Sequence, residues 1–439
     1  MSKTCAFITL GCKANQYDTQ VLREVFLRRK GYREVSPGGS DGPADLYVVN
    51  TCAVTSTSEV KSRQEIRKAV RLGPDAEVVV TGCYATADPQ VLEGIEGVDR
   101  VVDRETLTRS LLDEADAGTG IDNTPEDIGI GGISWFEGHS RAFLKTEDGC
   151  DAHCSYCIIP SLRGAVARSK PLEDVVAEAR RLAGNGYREI VLTGIHLGAY
   201  GRDLRGVTIT DVLKRLNEVE GIYRIRLSSL EASEVTDELI DIMADENSKV
   251  CPHLHLSLQS GDDDVLRAMN RRYTAGQYLD VIERVRSRLA DPSFSTDVMV
   301  GFPGEGPEQF ENTLNTCRQA GFSRMHIFPY SPRRGTPAAD MVNRPGPDEV
   351  KERKMVLDGL KDELALRYKE KFLGKEINVL VEERRDDGTL SGYSERYVKA
   401  LFTGPASLPN LPEPAGSIVP VEVVEIFPGY VRALWRGYQ

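Results

Sequence analysis

Cys150, Cys154 and Cys157 stand in a C-x3-C-x2-C run, a spacing that puts three thiols on one loop. Three thiolates hold three irons of a four-iron cluster and leave the fourth iron open, whereas an ordinary electron-transfer cluster takes four cysteines. An open iron binds substrate directly. S-adenosylmethionine suits it: the amino and carboxylate groups chelate the iron, and an added electron splits the molecule into methionine and a 5′-deoxyadenosyl radical. A zinc knuckle in the same loop would need a fourth ligand, and His153, lying between the cysteines, is poorly placed to supply it.

A second set is visible only through its setting. Three β-branched apolar runs each end in a small or hydroxyl residue followed by cysteine: Ala6 to Cys12, Leu46 to Cys52 and Val78 to Cys83. Helix-like stretches from Asp18 to Arg29 and Ser58 to Arg71 separate them, and alternating strand and helix predicts a parallel sheet. Loops after parallel strands open on one edge, so Cys12, Cys52 and Cys83 can converge despite their separation. Cys5, Cys251 and Cys317 lack ligand spacing and read as buried apolar residues.

The elements that position these cysteines divide the chain of 439 residues into more than one domain. The sequence predicts an α/β protein with an N-terminal parallel-sheet domain over 1–107, a linker over 108–135, a partial (βα)6 barrel over 136–371 and a small antiparallel β-barrel over 372–439. The linker is acidic and Gly-rich, without a sustained apolar period. Six strand candidates follow it, at 142–145, 190–193, 223–227, 253–258, 296–300 and 325–328, with the chemistry expected at their C-terminal mouth. His196, His253, His255 and His326 lie in or beside these strands and read as core or mouth residues. Four further β-like runs follow a charged helix from Asp348 to Lys371. No uninterrupted apolar run is long enough to span a membrane. The start of the chain lacks the pattern of a secretory signal, and nine cysteines suit metal binding in a reducing compartment, so the cytoplasm is the expected location. A net charge of −12 argues against indiscriminate nucleic-acid binding and leaves room for local basic patches.

The run Asp148-Gly-Cys-Asp-Ala-His-Cys-Ser-Tyr-Cys-Ile-Ile-Pro160, with its aromatic before the third cysteine, resembles the signature of the radical S-adenosylmethionine methylthiotransferases. The resemblance spans the chain, because that family also carries a three-cysteine N-terminal domain and a terminal TRAM barrel. It implies two [4Fe-4S] clusters, one on Cys150, Cys154 and Cys157 and one on Cys12, Cys52 and Cys83. It further implies consumption of two S-adenosylmethionine molecules per turnover, a tRNA anticodon stem-loop as substrate, and an electron donor such as flavodoxin or ferredoxin. The radical would take hydrogen from C2 of a modified adenine, and the N-terminal cluster would carry the sulfur that is methylated and joined there.

Leu10-Gly-Cys-Lys-Ala-Asn-Gln-Tyr-Asp18 is similar to the branch acting on N6-threonylcarbamoyladenosine 3′ of the anticodon. The ribosomal-protein aspartate branch usually has proline where Lys13 stands, and the isopentenyladenosine branch a different run before its asparagine. A non-catalytic iron–sulfur RNA-binding protein is the remaining alternative. By the same resemblance, Thr193 and Gly194 would meet the methionine end of the cosubstrate, and Ser228, Ser229 and Glu231 its ribose or carboxylate region. Gln259, Arg271 and Val300 stand at later strand ends or helix starts. Lys61, Arg63, Arg67, Lys68 and Arg71 form a candidate phosphate-binding helix, with Arg23, Arg28, Arg29 and Lys30 as a second patch. The terminal barrel, with seven basic against nine acidic residues, owes its expected RNA role to resemblance alone.

Overall fold

A computed structural model describes residues 2–116, 132–403 and 416–435. Five strands open the chain: β1 (Thr4–Thr9), β2 (Arg33–Glu34), β3 (Leu46–Thr51), β4 (Glu77–Gly82) and β5 (Arg100–Val101). They pair in parallel in the order β2-β1-β3-β4-β5. Helices α1 (Lys13–Glu24), α2 (Ser56–Leu72), α3 (Cys83–Ala87), α4 (Pro89–Glu93) and α5 (Arg104–Asp116) connect and cover the strands. Every residue of β3 is buried, which is why Leu46–Val49 reads as a continuous apolar run and not an alternating one. Thr55 caps α2 through reciprocal bonds with Ser58, fixing the loop just after Cys52.

Helix α5 carries ordered backbone into the segment expected to be linker, and the Gly-rich part of that segment lies outside the described residues. Next come β6 (Ala142–Lys145), a two-stranded ribbon of β7 (Glu147–Asp148) and β8 (Arg168–Ser169), then β9 (Glu189–Thr193), β10 (Arg224–Leu227), β11 (Ser229–Leu230), β12 (His253–Leu256), β13 (Ser293–Val300) and β14 (Arg324–Pro329). Parallel pairing runs β6-β9-β10 and β11-β12-β13-β14, and a bridge between Ile225 and Val250 links the two arcs. This is the expected six-stranded partial barrel, with helices such as Leu172–Gly184 packing outside. Tyr223, expected in a strand, is exposed and precedes β10.

The chain ends in a closed five-stranded barrel in the order β15-β16-β17-β19-β18: β15 (Glu376–Arg384), β16 (Thr389–Ser394), β17 (Lys399–Thr403), β18 (Ile418–Ile426) and β19 (Val431–Trp435). Strand β16 is the one absent from the sequence reading, because Ser391 and Gly392 break its apolar alternation. Gly392 stands where a Cβ would collide with the Leu380 carbonyl, so its small size is what lets β15 and β16 pair. The turn after β16 docks on the larger barrel. Arg226, fully buried, donates to the Ser394 and Glu395 carbonyls and lies 3.8 Å from the centroid of the Tyr397 ring. Among the described residues no helix is long and apolar enough to cross a membrane.

Candidate active site at the mouth of the parallel barrel

The local triad begins immediately beyond β7. Gly149 adopts φ +91°, and a Cβ there would collide with the Val166 carbonyl, so only glycine lets the chain turn tightly into Cys150. His153 also lies at positive φ, 51°, and the amide of Cys157 donates to the Cys154 carbonyl at 3.0 Å. All three thiols are partly exposed. Burial pushes the Cys157 thiol up to about 12, and Cys154 and Cys150 add to the shift against a hydrogen bond from the Ile159 amide. Thiols that suppress one another's ionisation need a bound cationic centre to become thiolates together, so the trio fits an iron–sulfur group. Among the described residues no three His, Cys, Asp or Glu side chains are arranged around a single ion. A four-iron cluster takes one thiolate per iron, so its cysteines need not meet at one point.

The second triad is assembled by the sheet. Cys12 follows β1 and precedes α1, Cys52 follows β3, and Cys83 opens α3 after β4. Gly11, at φ +103°, would place a Cβ 3.1 Å from Cys52 Sγ, and Gly82, at φ +94°, would drive one into Asn50 and the Thr51 backbone. The strand ends approach this closely because both positions lack a side chain. Asn15 Nδ2 donates to the Leu10 and Thr51 carbonyls, each at 2.9 Å, and ties the first two cysteine loops together. Its Oδ1 lies 3.6 Å from Cys83 Sγ. Burial raises the Cys52 and Cys83 thiols, the Arg163 guanidinium opposes the shift at Cys83, and Cys12 reinforces it at both.

Arg163 links the two sets. It ends α6 (Ile159–Arg163), six residues after Cys157, and is almost wholly buried. Its Nε donates to Cys83 Sγ at 3.4 Å, one terminal nitrogen forks onto Asp148 at 3.0 and 3.1 Å, and the other reaches Asp18 Oδ2 at 2.8 Å and Asn15 Oδ1. Lys145 bonds both carboxylates, and Arg104 lies 2.9 Å from Asp148. Desolvation would raise the Asp148 and Asp18 carboxyls, yet these three cations hold both below the ordinary range. Sequence reasoning did not single out Arg163. The only signal available was its place in Ser161-Leu162-Arg163-Gly164, just past the motif.

The structure distributes the expected cosubstrate residues unevenly. Arg271 joins one of them, Glu231, to the local triad, pairing with Glu231 Oε1 at 3.0 Å and donating to Cys154 Sγ at 3.3 Å. Gly194 leaves room for the buried Glu147, whose Oε2 would lie 2.6 Å from a Cβ there and accepts from the His196 amide at 2.7 Å. Burial pushes Glu147 up to about 7, and its Oε1 has no protein partner. Ser228 Oγ and Gln259 Oε1 are likewise buried without a protein partner, which fits groups reserved for a ligand. Thr193 is buried, with its carbonyl accepting from Thr146, and Ser229 is exposed in β11. Val300 departs from the expectation: its side chain is fully buried in the core and its carbonyl already accepts from Tyr330. His196 sits at the mouth and pairs with Glu234 at 2.6 Å. A cleft of about 220 Å³ opens between the N-terminal sheet and the barrel, lined in part by Val54, Thr55, Cys157, Gln259, Asp297 and Met299.

The comparisons agree with this layout. Residues 4–103 match an uncharacterised protein family designated UPF0004, residues 145–317 the radical SAM superfamily, and residues 370–434 the TRAM domain. The threonylcarbamoyladenosine tRNA methylthiotransferase MtaB of Bacillus subtilis is 38% identical over 438 residues, covering 96% of this chain and 94% of that protein. Its counterpart from Thermotoga maritima is 39% identical, with 92% of each chain covered. The tRNA-2-methylthio-N(6)-dimethylallyladenosine synthase of Carboxydothermus hydrogenoformans is 31% identical, covering 96% of this chain and 97% of that one. The chain belongs to the radical SAM methylthiotransferase family. The fold alone is shared with the radical S-adenosylmethionine methyltransferase TsrM of Kitasatospora setae, solved with cobalamin and a [4Fe-4S] cluster bound. That match has TM-score 0.53 at 16% identity and covers 77% of each chain. In this methylthiotransferase the expected basic helix is largely available: Lys61, Arg67, Lys68 and Arg71 are exposed, while Arg63 donates to the Tyr84 hydroxyl. In the second patch, Arg23 is instead held by Glu34 at 2.9 Å.

Proposed function

We propose that this methylthiotransferase converts N6-threonylcarbamoyladenosine, 3′ of a tRNA anticodon, to its 2-methylthio derivative. The observation that carries this reading is the pairing of two thiol triads across one barrel mouth, joined through Arg163. Cys150, Cys154 and Cys157 would hold one [4Fe-4S] cluster and Cys12, Cys52 and Cys83 a second. When bound, these groups and S-adenosylmethionine supply one-electron cleavage of the cosubstrate and a methylated sulfur for C2 of the adenine. The protein's own groups bind and orient. Arg271, fixed by Glu231, sets a positive charge beside Cys154 and donates to its Sγ, orienting it. Ser228 and Gln259 present unpartnered polar atoms to the cosubstrate, and Gly194 leaves room for Glu147, whose Oε1 is also unpartnered. Arg163 favours ionised Cys83 and holds the N-terminal domain against the barrel, and the exposed basic face of α2 receives RNA phosphates. A flavodoxin or ferredoxin would deliver the electron.

The test combines reconstituted protein, dithionite, S-adenosylmethionine and an anticodon stem-loop bearing threonylcarbamoyladenosine. Mass spectrometry should find the methylthio nucleoside, with one 5′-deoxyadenosine and one S-adenosylhomocysteine for each product. Conversion only of a dimethylallyladenosine stem-loop would move the enzyme to the other tRNA branch. Absence of 5′-deoxyadenosine under all conditions would end the radical reading.

A further inference from the structure

Between the mouth and the terminal barrel, the lumen of the parallel barrel is polar. Leu254 and Leu256 of β12 and Phe294 and Val298 of β13 pack into the hydrophobic layer beneath the helices, so their alternates His253, His255, Ser295 and Asp297 face inward. Strand register sets His255 beside Ser295. The four side chains form one hydrogen-bonded column. His253 Nε2 lies 2.9 Å from Ser295 Oγ, His255 Nδ1 lies 3.0 Å from the same oxygen, and His255 Nε2 lies 3.2 Å from Asp297 Oδ2. At the foot of the column, the Tyr397 ring of the terminal barrel meets His253 edge-on, with centroids 4.7 Å apart.

The column has one direction. His253 Nδ1 is buried without a partner, and a bare lone pair is less costly there than an N–H, so the ring proton sits on Nε2 and is donated to Ser295. The Ser295 hydroxyl then donates to His255 Nδ1, and the His255 Nε2 proton goes to Asp297. Desolvation would raise the Asp297 carboxyl, yet the His255 hydrogen bond and the charges of His255, His326 and Lys13 hold it below the ordinary range. Its Oδ2 is thus taken, while among the described residues Oδ1 has no hydrogen-bond or ion-pair partner. The side chain is 29% exposed and lines the cleft, so this acceptor is open to a ligand.

We infer that Asp297 Oδ1 accepts the N6 hydrogen of the target adenine, with His255, Ser295 and His253 as positioning residues that fix the carboxylate from behind. This rests on the tRNA reading above and adds how the base is oriented. The cleft is walled by Cys157 of the local triad and by Val54 and Thr55, just after Cys52 of the convergent one, so a base that must meet both sites lies there. Asp297 stands two residues before Met299 on the same face of β13, one layer deeper than the mouth. On adenine, N6 projects away from C2, so a base that turns C2 to the triads sends N6 down toward Asp297. A singly substituted N6 keeps one hydrogen, under a threonylcarbamoyl or a dimethylallyl group alike. A site built to accept that hydrogen rejects an analogue without it, because the acceptor is then left unpaired.

The test compares two stem-loops that differ at one atom: the N6-substituted adenosine, and an analogue with oxygen in place of N6, which keeps the shape and loses the hydrogen. Equilibrium binding is measured on the anaerobic holoenzyme, with iron content and S-adenosylmethionine binding as controls. Wild type should bind the N–H RNA about tenfold to a hundredfold more tightly, the size of a hydrogen bond to a charged group. In D297N the His255 donor can pair only with the amide oxygen, so the amide NH2 faces the cleft and the preference should reverse. H255L should lose most of the preference, and H255Q, which returns an N–H to that point, should recover it. Equal weakening of D297N toward both RNAs would make Asp297 structural and overturn the proposal. Loss confined to S-adenosylmethionine binding would assign the acceptor to the cosubstrate's own amine and overturn it too. The pair is run with each N6 substituent in turn. A preference seen only with the dimethylallyl pair would support the Asp297 contact and refute the threonylcarbamoyl reading, whereas no preference with either substituent would overturn the contact itself.

Discussion

The two thiol triads bring three cysteines together at opposite extremes of chain economy. Cys150, Cys154 and Cys157 lie within one loop of eight residues, and the strand before them supplies a launching point. Cys12, Cys52 and Cys83 are carried by three strands, so their convergence depends on the register of β1, β3 and β4 and on two glycines that let the strand ends close up. The local set is partly exposed throughout, whereas Cys52 and Cys83 are buried and only Cys12 is exposed. A local site tolerates strain in the fold around it, and a convergent site inherits all of it.

Alanine replacement of a whole triad should separate the two sites most sharply. C150A/C154A/C157A should retain about half the iron and sulfide of the wild type and lose all 5′-deoxyadenosine formation. C12A/C52A/C83A should also retain about half, yet still cleave S-adenosylmethionine and form no methylthio product. Loss of all iron from either variant would show that the sites do not load independently, and would break the comparison.

The same contrast explains what the sequence made legible. Spacing alone identified the local triad, because a loop motif carries its geometry with it. The three apolar runs ending in cysteine were equally visible, and parallel topology made their convergence a reasonable expectation. Arg163 was not visible, since a buried arginine between two carboxylates is a property of the domain interface: Asn15 and Asp18 come from α1, and Asp148 from β7 beside the barrel. Val300 shows the converse error. A strand-end residue beside Gly301 looks like a ligand contact, but strand parity turns its side chain into the core. β16 was missed because serine and glycine replace apolar residues where two strands of a small barrel press together.

Arg163 is the point where the comparison can be sharpened. R163M would strip the buried Asp18 and Asp148 of a shared cation, although Lys145 and Arg104 remain. Removing one partner of a buried ion pair typically costs about 3–5 kcal/mol, and the remaining cations place the expected loss at the lower end. Thermal unfolding of the apo-protein would read it. In the reconstituted protein the convergent triad should suffer first, because Cys83 loses its hydrogen-bonded cation while the local triad keeps Arg271. Equal loss of both clusters would mean that Arg163 serves the interface as a whole.

The smallest expected effects come from the glycines, and they test whether backbone freedom is apportioned as the geometry implies. Gly82 and Gly149 share nearly the same dihedral, φ +94° and +91°, and a Cβ at either would collide with a carbonyl of another segment. Backbone strain at a position closed to L-residues costs about 1–3 kcal/mol, so G82A and G149A should destabilise the apo-protein by similar amounts. Their effects on the sites should differ. At Gly82 the obstructing atoms are Asn50 and the Thr51 backbone, which also position Cys52, so relief of the collision moves two of the three convergent cysteines together. At Gly149 the obstruction is Val166, outside the three-cysteine loop, and the loop can shift as a unit. G82A should therefore lose its N-terminal iron while G149A retains most of its own, a difference read as iron per chain with 5′-deoxyadenosine formation as the control. If G149A loses iron as completely as G82A, the local loop is no more self-sufficient than the convergent site.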